Sequence, residues 1–220
     1  MSAAVPLDRR QRRRRETIEQ VLDVAVEVMA EQGVVGLTLG EVARRMGIRP
    51  PSLYVYFDSK HALYDALFER GGRLLLEHLR AVEAQMTEKD LVADYREGVG
   101  EFARWAVEHP AYSALLFWRP VPGFTPSEQA YAPAVAIVET GRAAVVRLRD
   151  AGILAPDVDV DHALRESTAL VSGVVSQQLS NAPDEPFTTG TWTSVLPDLI
   201  DMWLAHHRSG TIRPPGEKKS

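Results

Sequence analysis

Apolar residues near the start of the chain recur at helical spacing. Ile18, Val21, Leu22, Ala25, Val28 and Met29 fall three and four positions apart, on one stripe, and predict a first helix from about Arg14 to Gln32. Gly33 follows and can take the left-handed conformation that closes a helix. Thr38-Leu39-Gly40-Glu41 reads as a capping box, with Thr38 and Glu41 satisfying each other's orphan amides. Leu39, Val42, Ala43 and Met46 form the apolar face of the short helix it opens, and Gly47 ends that helix while Ile48 plugs the turn. Pro50-Pro51 fixes a backbone suited to starting another helix, for which Ser52 to Phe57 supply one or two turns. A cap, two helical turns, a glycine, a short link and a second short helix outline a helix-turn-helix.

Asp58-Ser59 offers N-caps for a longer helix from Lys60 to about Met86, lined by Leu63, Leu67, Leu74 and Leu75. Segments near 90–108, 111–118, 127–151, 160–181 and 190–208 keep the helical period. His109-Pro110, the run Trp118 to Gly123, and Ala182 to Pro186 punctuate them. No alternating apolar run is bounded by hairpin turns, so the expected fold class is all-α.

Composition narrows the chemistry. An apolar fraction of 45% with 25% charged residues belongs to an ordinary globular chain. The absence of cysteine excludes disulfides, thiolate catalysis and cysteine-based zinc sites. The early arginines have no apolar stretch behind them, so no secretory signal is read, and apolar runs such as Leu115–Trp118 are too short to span a bilayer. By elimination the expected location is cytoplasmic, with no membrane partner.

The net charge of −5 hides an asymmetry: residues 1–60 hold ten Lys/Arg against eight Asp/Glu, and the rest fifteen against twenty-two. Arg9, Arg10, Arg12, Arg13, Arg14 and Arg15 concentrate the positive charge. Such a cluster is either a phosphate-binding arm, which gains affinity by releasing counterions, or a solubilising tail. Asp157-Val158-Asp159-Val160-Asp161 has the alternating acids of a calcium loop, but His162 stands where that loop needs glycine and Thr168 where it needs glutamate, so N-capping of the next helix is expected instead. His206 and His207 are adjacent, and on a helix they are expected to diverge rather than chelate. No catalytic residue, metal ligand or cofactor site is read.

The run from Thr38 to Leu67 resembles the DNA-binding head of the TetR/AcrR family of repressors, above all in Leu53-Tyr54, Tyr56-Phe57, Ser59-Lys60 and Leu63. Trp118 to Phe124 and Ala130 to Pro133 are similar to a C-terminal subgroup common in actinobacterial members. The resemblance implies an N-terminal three-helix bundle with a helix-turn-helix, followed by a larger helical ligand-binding and dimerisation domain. The expected boundaries are a flexible basic arm at 1–13, the helix-turn-helix domain at 14–58, the second domain at 59–208 and a disordered tail at 209–220.

It also implies DNA-binding roles. Thr38 can bond a phosphate while capping its helix. Ser52, Tyr54 and Tyr56 lie on the recognition helix, where Tyr54 and Tyr56 would bond phosphates and fix register. Lys60 matches a phosphate-binding lysine. Base reading falls to Arg49, Pro50, Pro51, Ser52 and Val55; Arg49 either donates two bonds to a guanine edge or lies along a phosphate. Many relatives have a Ser or Thr cap, a polar residue and a Gly where Arg49, Pro50 and Pro51 stand, so readout at the two prolines would be apolar.

The implied partners are double-stranded operator DNA, a small-molecule effector and a second copy of the chain. Phe102, Trp105, Tyr112, Phe117, Trp118 and Tyr131, with Gln177 and Gln178, are the expected ligand-binding residues, and Tyr95, Phe124 and His162 are further candidates. Ala163, Leu164, Ala169, Leu170, Gly173, Val174 and Val175, with Leu196, Leu199, Ile200, Trp203 and Leu204, are either a dimer seam or plain core. Other function classes remain at this point: a helical small-molecule carrier or enzyme on the same scaffold, and an interaction module that has lost DNA binding.

Overall fold

Nine α-helices account for the regular structure of residues 9–87 and 89–208, the part of the chain described by a computed structural model. They are α1 (Arg9–Gly36), α2 (Leu39–Arg45), α3 (Pro50–Leu53), α4 (Lys60–Glu83), α5 (Leu91–Glu108), α6 (Pro110–Phe117), α7 (Glu128–Asp150), α8 (Val160–Asn181) and α9 (Leu196–His207), with a 3-10 turn at Thr193–Val195. No strand occurs among the described residues, and none of their helices is long and apolar enough to cross a membrane.

The chain forms two compact units, divided within α4 after Arg73 and within α7 after Ala132, with residues 109–132 joining the first. This differs from the division expected at residue 58, and the reason is local. The period of α4 runs unbroken through the boundary, so nothing in the pattern marks it. Met1 to Asp8, most of the expected basic arm, and the expected tail at 209–220 lie outside the described residues. Arg9 to Arg13, also assigned to a flexible arm, are helical and belong to α1.

In the first unit α1 packs against α2 and α6, and α2 against α3. Val21, Leu22, Ala25, Val28 and Met29 are buried as the stripe requires, while Ile18 at its end is half-buried. Gly33 has φ 74 and ψ 162, outside the left-handed helical region and in a region open essentially to glycine alone, and helical residues resume after it to Gly36. Within α4, Gly71 lies against the Tyr112 ring of α6, and a methyl there would stand 2.5 Å from Tyr112 Cδ1. Close approach explains this mid-helix glycine despite its entropic cost.

Residues 118–127 close over the same unit. The Phe124 ring sits 5.7 Å from Tyr64 and 5.9 Å from His61, and both the amide and the hydroxyl of Ser127 donate to the Asp65 carboxylate, at 2.6 and 2.7 Å. Tyr131 stacks on Phe68 at 6.1 Å.

In the second unit α5 packs against α8 and α9, and α8 against α9. Trp203 of α9 is at the centre of this packing. It stacks on Tyr95 with centroids 4.9 Å apart, and its indole N–H donates to the Ala163 carbonyl at 3.0 Å. Tyr95 in turn donates to Ser167 at 2.7 Å. Burial pushes the Tyr95 hydroxyl up to about 12, so it remains a donor at neutral pH.

Much of the expected dimer seam is this chain's own core: Ala163, Val174, Val175, Leu196, Ile200, Trp203 and Leu204 are buried, Leu164, Leu170 and Leu199 half-buried, and Ala169 and Gly173 exposed. Asp159 caps α8 by accepting from the His162 amide at 3.0 Å. His206 and His207 do not diverge; their rings lie 4.8 Å apart at the end of α9.

Candidate nucleic-acid interface

The expected recognition segment is a single helical turn whose shape follows from its sequence. Pro50 and Pro51 occupy the first positions of α3, where amides have no intrahelical acceptor, so two missing N–H groups cost no hydrogen bond. Leu53 is fully buried and Phe57 is 5% exposed, and the amides of Tyr56 and Phe57 both return to the Leu53 carbonyl at 2.9 Å. Rooted by those two side chains, the turn leaves Arg49, Pro50, Pro51, Ser52, Tyr54 and Val55 exposed. Val55 is 67% and Tyr54 55% exposed, so two large side chains adjacent in sequence stand in solvent on this turn.

Upstream, the Thr38 hydroxyl accepts from the Glu41 amide at 3.1 Å with Thr38 in extended backbone, the geometry of an N-cap. The reciprocal half of the capping box does not form. The Glu41 carboxylate instead accepts from Arg44 at 2.7 and 2.8 Å and from Arg45 at 2.8 Å, and Arg45 also grips Glu31 at 2.5 and 2.9 Å. Two guanidiniums outbid one backbone amide for a carboxylate because charge-assisted bonds are the stronger. Gly47, with φ 67, makes the turn that follows, and the Ile48 amide reaches the Ala43 carbonyl at 3.0 Å.

Those arginine bonds hold the Glu41 carboxyl down to about 2, and its bond to Arg45 lowers Glu31 as well. A carboxyl depressed in the folded state stabilises fully above its unfolded value, and that contribution is lost as pH falls through the folded one. Glu41→Gln should therefore lower the denaturation midpoint at pH 7 and flatten its fall between about pH 4.5 and pH 2, where the two proteins converge. Urea titrations across that range check it; parallel curves would show that the network adds nothing.

One cation, Arg14, is tied to the segment, and a second, Lys60, is tied to the end of α1 and to Tyr64 of its own helix. The Arg14 guanidinium lies 5.1 Å from the centroid of the Tyr56 ring and donates to the Val55 carbonyl at 3.2 Å. Lys60, half-buried, donates to the Val35 carbonyl at 3.0 Å, and its ammonium lies 5.3 Å from the centroid of the Tyr64 ring. In the sequence Arg14 is one of a charge cluster and the expected start of the first helix. Its contact spans forty-one residues, and no spacing rule predicts it. It ties the arginine-rich start of α1 to the turn that carries Val55 and Tyr56.

The expected ligand-binding residues are divided between the two units. Phe102, Trp105, Gln177 and Gln178 belong to the second unit, and Tyr112, Phe117, Trp118 and Tyr131 to the first. Trp105 and Tyr112 are buried, Phe102 and Phe117 half-buried, and Trp118 and Tyr131 exposed. Gln177 binds the Asn181 amide at 2.8 Å. Gln178 is fully buried and serves as a clasp: its carbonyl accepts from the Trp192 and Thr193 amides at 3.0 and 3.2 Å, and its NH2 donates to the Ala182 carbonyl at 2.5 Å. A cavity of about 40 Å³ in the second unit is lined by Glu83, Met86, Leu91, Asp94, Tyr95, Ala144 and Arg147, and none of the eight expected residues borders it.

Comparison with known proteins places this geometry. Residues 21–67 match the pattern described as "Bacterial regulatory proteins, tetR family", and residues 95–191 the pattern "Tetracyclin repressor-like, C-terminal domain". The chain is 45% identical over 49 residues to tetracycline repressor protein class D of Escherichia coli, covering 22% of each chain. It is 31% identical over 121 residues to HTH-type transcriptional regulator Mb1846 of Mycobacterium bovis, covering 51% of this chain and 50% of that one. The matches thus span from about a fifth to half the length of these two relatives. In fold it is similar to the fatty acid degradation regulator FadR from Bacillus halodurans, with TM-score 0.71 and 15% identity over 87% of this chain and 97% of that chain. A rooted, outward-facing turn after a capped short helix, within those two matched regions, leads to one conclusion: the chain belongs to the TetR family of bacterial transcriptional regulators.

Proposed function

We propose that the chain is a homodimeric repressor that binds a palindromic operator in double-stranded DNA and is released by a small, largely apolar effector. The observation that carries the DNA half is the recognition turn, whose Pro50, Pro51, Ser52, Tyr54 and Val55 stand in solvent while Leu53 and Phe57 hold it from below. In the major groove, Val55 and the prolines would meet thymine methyls, and Arg49 a guanine edge or a phosphate. Thr38, Tyr54, Tyr56 and Lys60 would contact phosphates and set the register.

Two copies would present two such turns to half-sites about 34–36 Å apart. Val195, Met202 and Trp192 are exposed around α9, as are Ala169 and Gly173 on α8, and they are the apolar surface through which the copies would pair. The effector half rests on the family's ligand-responsive habit and on the aromatic side chains of the helices after α4. A cavity of about 40 Å³ holds about one water, far below the roughly 300 Å³ of a ligand pocket. Effector binding at that place would therefore part α4, α5 and α7, and it shifts DNA affinity only if the parted form differs in operator affinity.

Selection of genomic fragments by the purified chain, followed by anisotropy titrations at several salt concentrations, tests the proposal. Binding should weaken with salt by about 0.9 log units per log unit for each neutralised phosphate. Arg49→Ala should change which fragments are preferred if Arg49 reads a base, and weaken all alike if it binds phosphate. Absence of salt-sensitive duplex binding would refute the DNA reading, and small molecules screened for release of the selected fragment test the effector.

A further inference from the structure

Away from the recognition turn, a carboxylate and three imidazoles converge in the second unit. Glu166 Oε2 of α8 lies 2.6 Å from His207 Nε2 in the last turn of α9, and Glu166 Oε1 lies 3.0 Å from His162 Nε2 one turn back on α8. One ligand atom from each of Glu166, His206 and His207 falls within 4.8 Å of the others. We propose that Glu166, His206 and His207 bind a divalent transition-metal ion of the zinc class, through a site open to solvent on the His206 side. The site is independent of the operator and effector proposed above.

Two imidazole nitrogens and one carboxylate oxygen suit Zn²⁺, Co²⁺ or Ni²⁺ rather than Mg²⁺ or Ca²⁺, which take sets of oxygens. Donors around a tetrahedral ion bonded at about 2.0–2.1 Å stand roughly 3.4 Å apart, so the 2.6 Å contact between His207 and Glu166 must open slightly while His206, within 4.8 Å, closes in. His206 is the ligand able to move, because it is exposed. The other imidazole is already fixed. His207 is 8% exposed, packs edge-on to Trp203 at 4.9 Å, and accepts the Ala155 amide on its carbonyl at 2.8 Å. His162 on the second oxygen orients the Glu166 carboxylate, as outer partners orient metal ligands elsewhere.

Electrostatics favours a cation here as well. Glu166 is acidic, and both histidines stand in the last turn of α9, at the negative end of the helix dipole. To bind the ion, His207 Nε2 must present its lone pair, so the ring's N–H sits on Nδ1 and the ion takes the place of the contact to Glu166 Oε2. With three protein ligands, the remaining coordination position is left for water.

The test is titration of the untagged full-length chain with zinc chloride by calorimetry, repeated with cobalt chloride to follow visible absorption from the bound ion. One zinc per chain is expected, with a raised melting temperature because the ion joins α8 to α9 only in the folded state. His206→Gln removes an exposed ligand, so it should leave the metal-free melting temperature unchanged while weakening zinc at least tenfold. Glu166→Gln should do the same to zinc, and His61→Gln, in the first unit, should not. No zinc uptake by the unaltered chain, or uptake that survives His206→Gln at full strength, would overturn the site and leave the cluster as a set of ion pairs.

Discussion

Leu53→Ala should cost about 2–5 kcal/mol of unfolding free energy, while Tyr54→Ala beside it should change stability by less than about 0.5 kcal/mol. The contrast follows from what holds α3. Four residues are too few to sustain a helix by their own hydrogen bonds. The turn therefore owes its shape to the fully buried Leu53 and to Phe57, and truncating Leu53 leaves a cavity beneath it. Tyr54 is 55% exposed and roots nothing.

On DNA the order of mildness reverses, given the repressor reading proposed above. Tyr54→Ala should weaken binding to every sequence alike, since a phosphate contact positions without reading bases. Lys60→Ala should do so too and reduce the salt slope by about 1. Urea midpoints and anisotropy titrations on the same three variants separate rooting from contact. If Leu53→Ala were as mild as Tyr54→Ala, the turn would not be rooted as described.

The helices were legible where side-chain periodicity and proline or glycine punctuation agreed. Segments expected near 90–108, 111–118, 127–151 and 160–181 became α5 to α8 with ends displaced by a residue or two. The recognition turn was legible too, since Leu53 and Phe57 stand four apart and face inward while their neighbours cannot. What stayed hidden depends on partners distant in sequence. Arg14 over Tyr56, Gln178 clasping the Trp192 and Thr193 amides, and Arg45 drawing Glu41 away from its capping box all require the tertiary fold.

The histidine pair shows the same limit from another side. Adjacent helical residues diverge by about 100° at Cα, but the His206 and His207 rings lie 4.8 Å apart at the end of α9. Aromatic content says less about location than periodicity does. It marked Tyr95, Trp105, Tyr112 and Phe124 as ligand candidates without distinguishing a ring that packs from one that lines space. Phe124 is packed against Tyr64, while Tyr95 both stacks on Trp203 and lines the cavity of about 40 Å³.

Trp203→Ala should be the most damaging single change in the second unit, at about 3–5 kcal/mol. Trp203 is 4% exposed and joins three helices: its ring stacks on Tyr95 of α5, its N–H bonds the Ala163 carbonyl of α8, and its own helix positions His207 against it. Trp203→Phe separates these contributions. It keeps an aromatic face for Tyr95 but loses the indole donor and part of the volume, so a smaller loss of about 1–3 kcal/mol is expected. Denaturation should therefore rank the unaltered chain first, Trp203→Phe second and Trp203→Ala last. Equal losses for the two variants would assign the role to the hydrogen bond, because both lack the donor. A loss below about 1 kcal/mol for Trp203→Ala would mean that α5, α8 and α9 hold together without this ring.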